Sequence, residues 1–286
     1  MRQNIFDVAK ASLSIKSDIN RITTILQNED TLIEGRRQYN IFEFVDIYCF
    51  EEWSRREHFL DVDDYLKSIN YKRLVDWAKL ENMDSVLLLL ELAYNFWYLA
   101  NTCLLAEDSR FCWFGNFYHL QTIINDMLEN LNFKAYIEGD AVYVIEDKPE
   151  VTAVAEIVDE PLALDTIRYN HFSMRGDLAG KKKVLLALAD YLEPKRKELN
   201  KINQKAFAEK LFMLFNKLNI RHNNCDSNSD KYVPRVASMS EEELEGWYDE
   251  TYQMALLAIL MLDNQERTTR VSALIEEING GKNGTT

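Results

Sequence analysis

Glycine and proline are scarce in these 286 residues, at nine and four. Turns draw on both, so a chain this long with so few of them disfavours a many-stranded sheet and favours long helices. Cysteine is sparse too. Cys49, Cys103, Cys112 and Cys225 lie far apart with no C-x-x-C pair, which argues against a zinc knuckle or a dithiol motif and reads as four reduced thiols. Histidine occurs only at 58, 119, 171 and 222, so histidine chemistry must use one of these. A phosphate-binding glycine loop, a nucleophile elbow, an H-E-x-x-H helix and a dinucleotide fingerprint are all missing.

Apolar residues make up 47% of the chain and aromatics 12%, enough to fill a core without staples. The first residues, MRQNIFDVAKASL, have no apolar signal region, so the expected location is the cytoplasm. The most hydrophobic stretch, Val86 to Leu105, contains Glu91, Asn95 and Asn101 and reads as a buried helix rather than a membrane span. Asp61, Asp63 and Asp64 open a helix; the glycine and glutamate of a calcium loop do not follow them. No metal or cofactor is expected.

The spacing of apolar residues predicts a mainly α fold, a multi-helix bundle with one short central β-hairpin. The expected parts are an N-terminal helical region (1–132), the hairpin (133–148), a C-terminal helical region (149–278) and a disordered tail (279–286). The hairpin signal is two β-rich runs, Phe133 to Ile137 and Ala141 to Ile145, around Glu138-Gly139-Asp140. Helices are expected over 1–30, 39–53, 69–79, 83–105, 117–131, 150–158 and 162–169. RGDLAG (175–180) reads as a turn. A helix then runs to Pro194, and one long helix from Lys195 to Leu218. Ser240 and Glu243 fit a capping box, with Tyr248, Tyr252, Ala255, Ile259 and Leu262 on one face of the helix that follows.

A net charge of −14 argues against nucleic-acid or anionic-membrane binding by the whole surface. One segment differs. Between Lys181 and Arg221 eleven basic residues face four acidic ones, a net of +7. Lys181, Lys182, Lys183, Lys195, Arg196, Lys197, Lys201 and Lys205 are the candidate RNA contacts within it.

His58, among alternating charges, reads as a surface residue, and His119, among aromatics, as a core or boundary residue. Arg168, Asn170 and His171 form a possible secondary site, although the same residue types also cap helix C-termini. The leading candidate is Asn219-Ile220-Arg221-His222-Asn223-Asn224. Histidine shuttles protons near neutral pH, and an adjacent arginine can stabilise charge on a phosphate. Side chains of adjacent helical residues diverge by about 100°, so Arg221 and His222 converge only off the helix. The competing reading is a polar loop that ends a helix.

LFNKLNIRHNN, a polar loop and the closing helix EGWYDETYQMALLAIL together resemble the C-terminal part of bacterial abortive-infection proteins with HEPN-like helical domains. The resemblance covers roughly residues 181–267. It implies a phage-defence protein, a metal-independent ribonuclease with Arg221 and His222 as its catalytic pair, and a homodimer. Such ribonucleases separate their Arg and His by four to six residues, whereas Arg221 and His222 are adjacent and Arg168 precedes His171 by three. Two other readings stand beside it: a non-enzymatic helical interaction or dimerisation module, and a small-molecule sensor with a pocket lined by Trp97, Tyr98 and Trp113.

Overall fold

A computed structural model describes residues 5–105, 111–202 and 205–280, and the side chains of 15–102, 111–202 and 206–279. The fold is mainly α. Its contacts divide it into two compact units, Met1–Asp147 and Lys148–Thr286.

The first unit contains α1 (Ile5–Gln27), β1 (Leu32–Glu34), β2 (Arg37–Tyr39), α2 (Ile41–Tyr48), α3 (Val62–Ser68), α4 (Tyr71–Lys79), α5 (Met83–Leu105), β3 (Phe111–Trp113), α6 (Phe117–Asn130), β4 (Phe133–Glu138) and β5 (Ala141–Glu146). Helix α5 is its centre, with α2, α4, α6 and β5 packed around it. From Val86 to Ala100 its apolar side chains are buried on nearly every face, as a helix hydrophobic all round requires. Asp61 caps α3, accepting from the Asp64 N–H at 2.7 Å. Asn40 and Glu43 form a capping box at the start of α2.

The expected hairpin forms as β4 and β5, antiparallel and in register from Phe133 opposite Glu146 to Glu138 opposite Ala141. It groups with the first unit rather than standing between the two. The outer edge of β5 is satisfied by side chains of α5 instead of a third strand. Asn95 accepts from the Val142 N–H at 2.8 Å and donates to the Val142 carbonyl at 2.7 Å. The Glu91 carboxylate accepts from the Val144 N–H at 2.7 Å and pairs with Arg55 at 2.9 Å. Both residues are about 98–99% buried, and this edge is why the most hydrophobic helix carries them.

A second sheet is present, in the order β2-β1-β3. Its three-residue strands are too short to show period-2 patterning, and Gly35, at φ 61°, turns β1 into β2. Trp97 and Trp113 are engaged with Phe117, whereas Tyr98 is half-buried and donates its hydroxyl to the Gly139 carbonyl at 3.4 Å. Trp97 is buried and donates its indole N–H to the Phe117 carbonyl at 3.1 Å. Trp113 stacks on Phe117 with ring centres 3.6 Å apart.

The second unit contains α7 (Pro149–Ala155), α8 (Glu160–Arg168), α9 (Leu178–Leu192), α10 (Arg196–Lys201), α11 (Lys205–Lys217), α12 (Pro234–Ala237) and α13 (Glu241–Gly280). Its core is built on α13, against which α7, α9, α10 and α11 pack. Three expectations change. RGDLAG is not wholly a turn, because Asp177 caps α9 by accepting from the Gly180 N–H at 2.9 Å and the helix starts at Leu178. The long 195–218 helix is two helices, α10 and α11. Helix α13 continues through Gly280, so Asn279 and Gly280 are helical; residues 281–286 of the expected tail lie outside the described residues. No helix among the described residues is long and apolar enough to cross a membrane.

Candidate functional site

The leading candidate, Arg221 and His222, sits where the chain leaves α11. Asn219 takes the left-handed conformation at φ 59°, and the Arg221 N–H reaches back to the Phe215 carbonyl at 3.1 Å. Two asparagines lock the loop. The Asn224 side chain accepts from the Asn219 N–H at 2.9 Å, and that of Asn219 accepts from the Asn224 N–H at 3.1 Å. The buried Asn224 also donates to the Lys231 carbonyl at 2.6 Å. The asparagines of this segment are therefore loop architecture.

Arg221 is committed to α9. Its guanidinium donates to the Ala189 carbonyl at 2.9 Å and to Asp190 at 3.3 Å, and it pairs with Glu193. Only 17% of its side chain is exposed. His222 is exposed, with no hydrogen bond from its ring among the described residues. The loop thus holds the arginine against two carboxylates and leaves the histidine in solvent, an arrangement that offers a phosphate no joint Arg/His grip.

The secondary candidates are structural as well. Asn170 is buried and donates to the Thr166 carbonyl at 3.1 Å and the Tyr252 hydroxyl at 2.7 Å. His171 caps the following turn rather than ending α8, accepting from the Ser173 N–H at 3.2 Å. Arg168 is exposed on α8. His58 is exposed as expected, but so is His119, which is therefore not a core residue.

The expected RNA-binding residues are not all surface cations. Lys181 is a clear correction: only 6% of its side chain is exposed, and its ammonium lies 2.7 Å from both Glu245 and Asp249 on α13. Tyr169 donates to Asp249 at 2.9 Å and stacks on Tyr252 with ring centres 3.9 Å apart. Burial, then the Asp249 carboxylate, pushes the Tyr169 hydroxyl pKa well up, so it stays a donor. Lys195 lies over the Tyr191 ring and Arg196 over Phe212, at 3.2 and 4.7 Å. Lys183, Lys197 and Lys201 are exposed, Lys182 is half-buried, and the Lys205 side chain lies outside the described residues.

A different surface stands out. Helix α13 carries two apolar stripes. The inner one, Tyr248, Tyr252, Ala255, Leu256 and Ile259, is buried in the second unit and ends near Leu262. The outer one starts about half a turn round the helix, since Leu257 follows Ala255 by about 200°. It runs through Leu257, Met261, Asn264, Thr268, Val271, Ile275 and Ile278, in alternating steps of four and three residues. That is the heptad spacing of a helix that pairs with another helix. From Asn264 to Asn279 every residue of α13 is exposed. Val271, Leu274, Ile275 and Ile278 nonetheless present apolar side chains that are 51 to 57% exposed. The capping motif at the other end of α13 is half formed: the Glu243 N–H donates to Ser240 at 3.1 Å, while the Glu243 carboxylate pairs with Arg235.

No protein-family model matches the chain, and no curated protein or solved structure matches it either.

Proposed function

We propose that this chain is a non-enzymatic helical interaction module whose working surface is the outer stripe of α13. The observation that carries this reading is the group Val271, Leu274, Ile275 and Ile278, half exposed on a helix that has stopped packing against its own unit. Burying a side chain of this kind completely stabilises by about 1.5–3 kcal/mol, so covering the exposed half of all four is worth about 4 kcal/mol. The sequence there, with Thr268, Thr269, Val271 and Ser272, has modest intrinsic helix propensity, which a packed partner would offset.

The competing reading is a phage-defence ribonuclease of the abortive-infection type. It needs Arg221 to leave Asp190 and Glu193 and meet His222 at a phosphate, and the geometry favours it less. One pair of measurements separates the two, crosslinking of the full chain inside the expressing cell and an RNA assay on the purified full chain. A photo-crosslinking residue at position 271 is expected to give protein adducts that the same residue at exposed position 67 does not, and a labelled single-stranded RNA is expected to stay intact. Equal labelling at the two positions, or RNA cleavage that His222→Ala abolishes, would overturn the proposal.

A further inference from the structure

The outer stripe of α13 has an internal order that identifies its partner. Its polar members, Asn264 and Thr268, sit together in the middle, with apolar positions on both sides. A helix laid alongside in the reverse direction, with Asn264 level with Thr268, matches the stripe to itself. Met261 then meets Val271, Leu257 meets Ile275, and Met254 meets Ile278. Every apolar position faces an apolar one, and the two polar residues face each other, where an amide and a hydroxyl can hydrogen-bond. Sliding the helices by one heptad sets Asn264 against Ile275 instead, which buries an amide against a hydrocarbon. A polar layer of this kind fixes register in paired helices.

We infer that the occupant of the stripe is a second copy of this chain, with the two α13 helices antiparallel and centred between Asn264 and Thr268. The inference rests on the reading of α13 as an interaction surface and adds the partner and its direction. Such a pairing is isologous: each copy gives and receives the same surface, so it closes as a twofold dimer. It also explains why only one end of α13 lacks contacts. Residues 264–278 of one copy lie along residues 254–268 of the other, whose opposite face is already packed into the second unit as far as Ile259. The overlap spans 25 residues, Met254 to Ile278, or about 37 Å of helix. With a helix width of about 10 Å, each copy contributes about 370 Å², about 740 Å² in all and below the about 1,200 Å² at which stable specific interfaces begin, so the dimer is weak, reversible and concentration dependent.

Charge at the contact itself does not oppose the antiparallel direction. Arg267 approaches its own symmetry mate near the twofold axis, but each is already paired with Asp263 one turn back, so the axis is close to neutral.

The test uses the full chain. Sedimentation and light scattering are expected to show a shift from 33.5 kDa towards twice that mass as concentration rises. Ile275→Glu and, separately, Val271→Glu lie on exposed positions and should weaken the dimer by about tenfold or more without altering the circular dichroism spectrum. Direction is read by mixing Asn264→Cys chains with Thr268→Cys chains, both with Cys112 and Cys225 changed to Ser, under oxidation. The mixed disulfide should dominate. A chain that stays monomeric at every accessible concentration overturns the inference, and so does a dimer that both substitutions leave intact. Preferential Asn264→Cys self-coupling overturns the antiparallel arrangement. A monomer whose position 271 still crosslinks another protein loses the second copy as partner but keeps the interaction surface; a monomer without such labelling loses both.

Discussion

The ammonium of Lys181 lies 2.7 Å from Asp249, although Lys181 opens a run of three lysines at the start of the most basic part of the chain. Three successive helical residues point about 100° apart, so they cannot share an environment. Lys181 aligns with Val184, Leu185 and Leu188, all buried, and is carried inward with them; Lys183 is carried out. Lys181→Met should therefore lower the unfolding free energy by about 2 kcal/mol in urea titration, because Glu245 loses a charged hydrogen bond in a largely buried position. Lys183→Met should stay within about 0.5 kcal/mol of the parent. Equal effects would show that the run acts through its charge and not through this pairing.

The same cluster predicts a pH dependence. Burial raises the Glu245 carboxyl pKa, but the Lys181 ammonium and the Gly176 N–H, which donates at 2.8 Å, outweigh it and hold the pKa below its ordinary 4.5. A carboxyl with a depressed folded pKa stabilises fully above the unfolded value and loses that contribution as pH falls through the folded one. Stability should thus be flat in this component above about pH 4.5 and decline below it. Lys181→Met removes the chief lowering contact, so the parent-minus-variant difference should shrink on acidification. A difference that grows as pH falls would assign the effect to another group.

Features that follow from local chemistry were legible in the sequence. The Asp61 cap, the Phe133 to Glu146 hairpin and the inner stripe from Tyr248 to Ile259 appear where spacing and turn residues place them. Features set by tertiary packing were not. Whether Lys181 was a surface cation or a buried one depended on acids more than sixty residues away, although its alignment with Val184, Leu185 and Leu188 was a visible signal. The outer stripe of α13 was hidden because one helix carries two apolar stripes, and because the glycines of NGGKNG suggested an end nearby. Counting the four-and-three steps from Leu257 to Ile278 would have found it.

Arg221 and His222 should separate cleanly on substitution. Arg221→Ala breaks its bonds to Ala189, Asp190 and Glu193, and because the two carboxylates are 70% and 43% exposed the loss is expected to be about 1–2 kcal/mol. Arg221→Lys should recover only part of it, since a single ammonium cannot reproduce the fork that reaches three acceptors. His222→Ala should be neutral within about 0.5 kcal/mol. Thermal unfolding of the three variants measures this. A strong stability loss for His222→Ala would mean that the loop holds its ring in a contact.

The edge of β5 allows the sharpest dissection, because its backbone groups have different side-chain partners. Asn95 serves both Val142 groups, while Glu91 serves the Val144 N–H. Asn95→Leu keeps the volume but leaves the Val142 N–H buried without an acceptor, whereas the Val142 carbonyl retains Arg55 at 3.0 Å. The cost should be about 1–3 kcal/mol, the penalty of one unsatisfied buried donor. Glu91→Gln keeps an acceptor for Val144 but removes the charge opposite Arg55; Glu91→Leu removes both and should cost about 3 kcal/mol, at the low end for a broken buried pair because the Arg55 side chain is 29% exposed and can turn to water. Amide hydrogen exchange resolves the two residues. Asn95→Leu should speed exchange at Val142 more than at Val144, and Glu91→Leu should do the reverse. If both variants opened both amides equally, the hairpin would be leaving α5 as a unit, and the side chains would be docking the sheet as a whole rather than satisfying its edge group by group.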